Sequence, residues 1–354
     1  MFLPNRLSFP APDDAGRTVG VAQGTDALPA SRHQEGMNAP SPVLAPAALR
    51  RQTLMGILCA VGASFAFSIN DMSIKALSGD YALHEVILFR SMIGMTFLLT
   101  CVLPFQGGLG ALRTRRLGAH LLRATFVVAS NLFYFLGLAA LPLATTSAIF
   151  FVAPLLITAL SVPLLGERVG PRRWTAVAVG LAGVIIMLHP GGAMEVAVFL
   201  PLASALAYAF MHMMTRHMKG SESAVAMTFY VQSLFVIVSG TMGLTFGDGR
   251  YAVQSDASLA FLFRPWIWPP VGDWAVLLAT GVASSVGGLL IAQAYRLGEA
   301  GLIAPFEYVA MPLAIFWGLV IFGEWPAHEA WVGIALIAGA GLYIGWRETM
   351  GRRR

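Results

Sequence analysis

Asp71 and Lys75 stand four residues apart at the end of an apolar run that starts near Leu54 and reads LMGILCAVGASFAFSIN. That spacing puts a carboxylate and an ammonium on one side of a helix. At mid-bilayer an ionised side chain costs about 2.5–3.5 kcal/mol on insertion scales, so such groups face a cavity or a partner. The other charged groups at membrane depth are Glu85, Arg90, Arg123 and Glu307. Lys75 and Glu85 fall near the ends of their runs, where they can snorkel to the interface, pair with each other or with Arg90, or meet a substrate. Arg90 lies about two turns into its run, so its guanidinium is either salt-bridged or faces a cavity and attracts an anionic group. Arg123 is one turn into its run, within snorkelling distance. Glu307 sits in Ala304-Pro305-Phe306-Glu307-Tyr308, with a second proline at Pro312. Proline frees backbone hydrogen-bonding groups that neighbours must satisfy. Glu307 therefore either caps freed amides or, in a cavity, carries a proton or accepts a hydrogen bond from a substrate.

Neutral polar and aromatic groups lie in or at the ends of the same runs: Asn70, Asn131, Tyr134, Tyr208, His212, Tyr230, Gln232, Gln293, Tyr295 and Tyr308. Asn131 and Tyr134 share a helix face, whereas Gln293 and Tyr295 do not. Each alone fits a helix–helix hydrogen bond. Together they suit a cavity for a planar, polar molecule. His212 belongs to the residue type that titrates near neutral pH. Trp317 either stacks on such a ring or packs in the core.

No phosphate loop, His-Glu-x-x-His, nucleophile elbow or Cys/His metal spacing occurs. Cys59 and Cys101 both lie inside apolar runs and read as buried small side chains. The expectation is no metal, no cofactor and no enzymatic activity; His120 and His212 lack recognisable catalytic partners. Without a nucleotide site, any transport must be driven by gradients or exchange.

The elements that hold these residues follow from composition. Of 354 residues, 57% are hydrophobic and 12% charged, with mean hydropathy +0.70. Soluble domains carry about 25% charged residues, so the chain is an integral membrane protein. Its net charge of +5 does not point to nucleic acid, because the basic residues sit in short loops. Residues 1–50 read as a disordered cytoplasmic tail without a signal peptide, and Met37 is an alternative start. Ten apolar segments follow, near 53–77, 83–104, 118–140, 143–165, 174–190, 195–216, 224–246, 272–296, 301–323 and 330–347. Each approaches the ~20 residues that span a bilayer as helix. One connection, 247–271, is long and carries Arg250, Arg264, Trp266 and Trp268, an aromatic cluster suited to an interface.

Fifteen Lys and Arg residues flank the segments on one side, among them Arg113, Arg168, Lys219 and Arg352; Lys75, Arg250 and Arg264 lie on the other. The positive-inside rule then puts both termini, including a basic tail 348–354, in the cytoplasm.

The chain also repeats itself. AIFFVAPLLITALSVPLLGERVGPRRW from Ala148 answers PFEYVAMPLAIFWGLVIFGEWPAHEAW from Pro305, pairing Glu167 with Glu324 and Trp174 with Trp331 at a spacing of 157. Asp71 and Lys75 match His212 and Arg216 at 141, and Tyr134 corresponds to Tyr295. Two units result, 51–190 and 195–347, of five helices each. An odd number per unit inverts the second, which places a substrate site near the midplane and implies alternating access. Asn70 and Asp71 would then act as a gate matched by His212 and Arg216 at the opposite face. Gly341-Leu-Tyr-Ile-Gly345 is a GxxxG pattern that suggests close helix packing, including a homodimer contact.

Ten spans in duplicated halves, the Pro…Gly-Glu-Arg run 154–168 with its copy at 312–324, and Glu85…Phe89-Arg90 resemble the EamA-type transporters of the drug/metabolite transporter superfamily. The resemblance covers about Arg51 to Trp346. It implies an all-α secondary carrier of the inner membrane, with a small-molecule substrate in a central cavity. Asn70-Asp71-x-x-x-Lys75 with Glu85-x-x-x-Phe89-Arg90 also looks like the subgroup with riboflavin and S-adenosylmethionine uptake carriers.

Overall fold

The structure, a computed structural model, describes residues 46–165, 170–187, 196–217, 222–252, 255–297, 303 and 306–351. The chain divides into Met1–Ala45 and Pro46–Arg354, and every described residue belongs to the second unit. Most of the expected tail, and the Glu167-Arg168 copy of the repeated motif, lie outside the described residues. So does the side chain of Arg216.

The described residues are helical, with no strand. In chain order the helices are α1 (Pro46–Leu77), α2 (Leu83–Phe97), α3 (Leu117–Ala140), α4 (Leu143–Phe150), α5 (Ala153–Leu165), α6 (Pro171–Met187), α7 (Phe199–His217), α8 (Ala224–Phe246), α9 (Ala257–Phe263), α10 (Trp274–Leu297), α11 (Ala310–Phe322) and α12 (His328–Gly351). Seven stretches are long and apolar enough to cross a membrane: Arg51–Leu77, Leu83–Gln106, Leu117–Ala140, Leu143–Leu160, Val196–Thr215, Ala224–Phe246 and Val271–Leu297. Trp174–Met187, Ala310–Phe322 and His328–Ile344 are shorter apolar helices. These fall where the fifth, ninth and tenth segments were expected. At a rise of ~1.5 Å per residue, α11 is about 20 Å long, short of the full ~30 Å hydrocarbon core.

Prolines set two of the breaks. Pro154 has no N–H, so it is tolerated only in the first turn of a helix. The chain accordingly turns at Phe151–Val152 and restarts as α5, with the Leu155 and Leu156 amides bonding the Val152 carbonyl. The Phe151 carbonyl is left for another donor. Pro312 acts similarly on α11, which starts at Ala310, and the Met311 amide takes the Tyr308 carbonyl.

α1 packs along α10, α3 along α7, α2 along α8 and α10, and α6 along α12. Small residues bring these pairs close. The Ser130 hydroxyl donates to the Ser204 carbonyl at 3.0 Å between α3 and α7, and Ser285 of α10 donates to the Gly94 carbonyl at 2.7 Å. Large apolar side chains such as Leu58, Ile237, Leu244 and Ile321 stay exposed on the outside, as a lipid-facing surface requires.

The long connection after α8 folds back over the turn between α1 and α2. Arg264 donates to the Ser78 carbonyl at 2.8 Å, Trp266 donates to His84 and the Ile267 amide to Glu85, and the Tyr81 hydroxyl donates to Asp273. Tyr81 is buried; that burial, with the Asp273 carboxylate beside it, pushes its hydroxyl up from its ordinary range, so it stays a donor.

Candidate functional site

A cavity of about 150 Å³ lies between α1, α2, α3, α4, α7, α10 and the start of α11. Among the sequence-derived candidates it is lined by Asn70, Asp71, Arg90, Asn131, Tyr134, Tyr208 and Glu307. Seven parts of the chain therefore bring together residues that span more than two hundred positions.

Two carboxylates face this space, each held by tyrosine. Asp71 accepts from the Tyr134 hydroxyl at 3.1 Å and from the Asn70 amide at 3.0 Å. Tyr134 also meets the Ser147 hydroxyl at 2.9 Å. Glu307 accepts from Tyr208 at 3.3 Å and from Tyr295. Arg90 is buried; its Nη1 donates to the Asn70 carbonyl oxygen at 3.4 Å, and its guanidinium lies 4.7 Å from the Phe235 ring and 5.4 Å from the Phe135 ring. Among the described residues it is the only Lys or Arg lining the cavity. Stacked aromatic faces hold a guanidinium through the ring quadrupole.

The rings form a continuous wall. Phe150 lies 5.2 Å from both Tyr134 and Tyr208, Tyr208 is 4.5 Å from His212, and His212 is 5.4 Å from Tyr295. Edge-to-face contacts at these separations are favourable. His212 thus braces two tyrosines of the Glu307 cluster and is not itself part of the lining. Tyr308 turns away and donates to the Phe151 carbonyl at 3.2 Å, the group freed by the break before α5.

Asp71 and Lys75 diverge. Of the alternatives the sequence leaves for Lys75, pairing with Glu85 is not the one seen. The Lys75 Nζ lies 2.9 Å from Glu324 Oε1 and donates to the Leu141 carbonyl at 2.7 Å. Glu324 Oε2 accepts from the Leu143 amide at 3.0 Å. The Gly-Glu pair explains this geometry. α11 ends in Gly323 with φ +64, the left-handed conformation that glycine adopts without a Cβ penalty. The Gly323 amide bonds the Leu319 carbonyl, the 5→1 bond of a left-handed helix cap, and the Glu324 amide bonds the Gly318 carbonyl. That turn points the Glu324 carboxylate at the end of α1 and the turn between α3 and α4.

Other expected residues stand apart from the cavity lining. Glu85 is buried against the long connection, where the Ile267 amide reaches it at 3.5 Å. Gln293 accepts from Arg296 at 3.4 Å. Tyr230 donates to the Leu112 carbonyl and Gln232 to Ser284. Arg123 donates to Thr215 on α7 at 3.0 Å, and His120 Nε2 lies 3.1 Å from Glu222. Trp317 packs inward and donates to Ser68. Gly341 is in close contact within the chain: a Cβ there would lie 1.8 Å from the Tyr308 hydroxyl oxygen. Among the described residues no cluster of His, Cys, Asp or Glu could hold a metal ion.

Sequence reasoning overlooked Phe67, Phe150, Phe151, Ser68 and Ser147, all in the lining, and the role of Glu324. The repeat carried part of the signal: Phe150 and Phe151 stand 157 positions before Glu307 and Tyr308.

A multi-helix membrane protein with charged and aromatic groups turned into one internal cavity has the features of a transporter. Comparison with known proteins gives the family. The model of the EamA-like transporter family matches residues 54–189. The riboflavin transporter of Rhizobium johnstonii is 30% identical over 306 residues, covering 86% of this chain and 94% of that protein. The S-adenosylmethionine uptake transporter of Rickettsia prowazekii is 26% identical, covering 79% and 89%. The pseudopaline exporter of Pseudomonas aeruginosa is 25% identical, covering 80% and 94%. A solved crystal structure, 21% identical, superposes with a TM-score of 0.57 over 84% of this chain and 97% of its own, a likeness of fold. The chain belongs to the EamA-like transporter family of the drug/metabolite transporter superfamily. It is a multi-pass bacterial inner-membrane protein and a secondary transporter of small metabolites, not an enzyme.

Proposed function

We propose that the chain is an uptake carrier for a neutral, planar heterocycle of the flavin type, working by alternating access between two inverted five-helix halves, 51–190 and 195–347, with both termini cytoplasmic. Seven long apolar helices and three shorter ones, together with the sequence repeat and the charge asymmetry of the loops, support the ten-helix reading. The observation that carries the substrate class is the cavity itself. Its walls are rings, Phe67, Tyr134, Phe135, Phe150 and Tyr208, and its polar groups, Asn70, Asp71, Asn131 and Glu307, can accept from a heterocycle's N–H and hydroxyl groups. Several relatives bear the name riboflavin transporter.

At about 150 Å³ the cavity has the size of an engineered void that takes benzene. A tricyclic ring needs more, so the halves must part to admit it. The Lys75–Glu324 knot fits a latch that keeps the outer face shut. The repeat assigns Arg216 and Glu167 to the corresponding cytoplasmic positions. Asp71 and Asn70, although adjacent to this latch in sequence, belong with the substrate in this reading.

A second reading, a cationic adenosyl sulfonium as substrate, draws on the two carboxylates in the wall and on the relatives named for S-adenosylmethionine uptake. Counterflow in proteoliposomes separates the two. Vesicles loaded with unlabelled riboflavin should accumulate labelled riboflavin, and loading with S-adenosylmethionine should not support that exchange. Exchange driven only by S-adenosylmethionine would replace the first reading with the second, and no exchange of either would refute both.

A further inference from the structure

The two cavity carboxylates are not equivalent. Asp71 shares its side of the cavity with the Arg90 guanidinium, the two linked through Asn70. Glu307 has no Lys or Arg partner among the described residues. What it has is two hydroxyl donors, Tyr208 from α7 and Tyr295 from α10. Its other titratable surroundings are His212 of α7, whose ring lies against both tyrosines, Tyr308 on its own segment, and Arg123 of α3, which is bonded to Thr215 on α7. Asp71 and Arg90 face it across the cavity.

A buried carboxylate without a counter-ion is tolerated only while hydrogen bonds and water solvate it. Two hydroxyls supply part of that solvation. The rest comes from the water that fills the cavity between substrates. A neutral, planar ligand expels this water and brings no compensating charge. We infer that Glu307 is the coupling group of this carrier: it takes up one proton as a neutral substrate fills the cavity and gives it up when the substrate leaves on the cytoplasmic side, so that substrate and proton travel together. Asp71, by contrast, has the Arg90 guanidinium within reach through Asn70.

The proton balance is simple. One proton moves from the outer solution to a Glu307 oxygen, the hydroxyls of Tyr208 and Tyr295 remain its neighbours, and the same proton leaves to the cytoplasm. A cationic substrate would neutralise the ionised Glu307 directly, and no proton would be taken up with it.

This inference rests on the flavin reading, and the experiment separates the two. Calorimetric titration of the purified carrier with riboflavin in two buffers of different ionisation enthalpy gives the protons bound per ligand. In proteoliposomes, riboflavin uptake is followed with and without an inward proton gradient. The wild type should take up close to one proton per riboflavin and respond to the gradient. Glu307→Gln should bind riboflavin without proton uptake, and the transport it retains should not respond to the gradient. Glu307→Asp, which keeps a titratable group, should keep the response, whereas a purely structural glutamate would leave proton count and gradient response unchanged in both variants. A wild-type carrier that binds riboflavin with no proton change, or a Gln variant that still follows the gradient, overturns the coupling role alone. Failure of the wild type to bind or exchange riboflavin overturns the substrate reading and this inference with it.

Discussion

Glu324→Gln tests the outer latch with the smallest change of shape. The Lys75–Glu324 contact is 2.9 Å long, with side chains 10% and 28% exposed. At an effective dielectric of about 20 the bare attraction would be about 6 kcal/mol, and desolvation cancels most of it. The better measure is what glutamine keeps. Its amide oxygen still accepts either from Lys75 or from the Leu143 amide, and Lys75 keeps the Leu141 carbonyl at 2.7 Å. The loss is the difference between a charge-assisted and a neutral hydrogen bond, about 1–2 kcal/mol. If the latch exists only in the outward-closed state, that energy tilts the equilibrium toward the open state roughly 5–30-fold. The assay uses a background in which Cys59 and Cys101 are replaced and Ala314, a cavity residue, is changed to cysteine. A membrane-impermeant thiol reagent applied from outside should label Cys at 314 faster by about that factor in Glu324→Gln. Labelling that is unchanged in Glu324→Gln would refute the latch.

We propose from the sequence repeat a second latch at the opposite face: Arg216→Gln or Glu167→Gln should slow labelling of the same cysteine from outside, by favouring the inward-open state, and a rate equal to wild type would count against it. Tyr134→Phe removes the hydroxyl that bonds Asp71 and Ser147; a lost charge-assisted bond of about 1.5–3 kcal/mol should lower the melting temperature in detergent, and an unchanged value would count against that bond. Gly341→Ala drives a methyl into the Tyr308 hydroxyl and breaks its bond to Phe151; overpacking of this kind costs about 1–3 kcal/mol and should lower the melting temperature in detergent. Pairing it with Tyr308→Phe, which removes the crowded oxygen, should recover part of that loss.

Much of this arrangement was legible in the chain itself because membrane helices obey strong local rules. Hydropathy located the segments, and the rarity of charge in lipid picked out Asp71, Arg90 and Glu307 as inward-facing. Two kinds of information were missing. Residues on one helix do not reveal their partners on another, so Lys75 was matched with charges nearby in sequence when its partner lies at Glu324, at the far end of α11. Apolar residues carry no mark that distinguishes cavity wall from core: Phe150 and Phe67 read like any phenylalanine until neighbouring helices leave space beside them. Nothing in the sequence showed that the Phe151 carbonyl, freed by the break before Pro154, would receive Tyr308.

The repeat clarifies why the two sides of the cavity differ. Tyr134 and Tyr295 occupy matching positions, and each donates to a carboxylate. The carboxylates themselves do not match: Asp71 corresponds to His212, and Glu307 to Phe150. In the proposed two-half reading each side carries a tyrosine donor, while the acceptors come from different parts of the chain. One acceptor has Arg90 nearby, linked through Asn70. The other is surrounded by tyrosines and aromatic rings, and in the proposed cycle its charge depends on what fills the cavity. In the proposed cycle the shared geometry opens the cavity to either face, and the departure from it at Glu307 couples that opening to a proton.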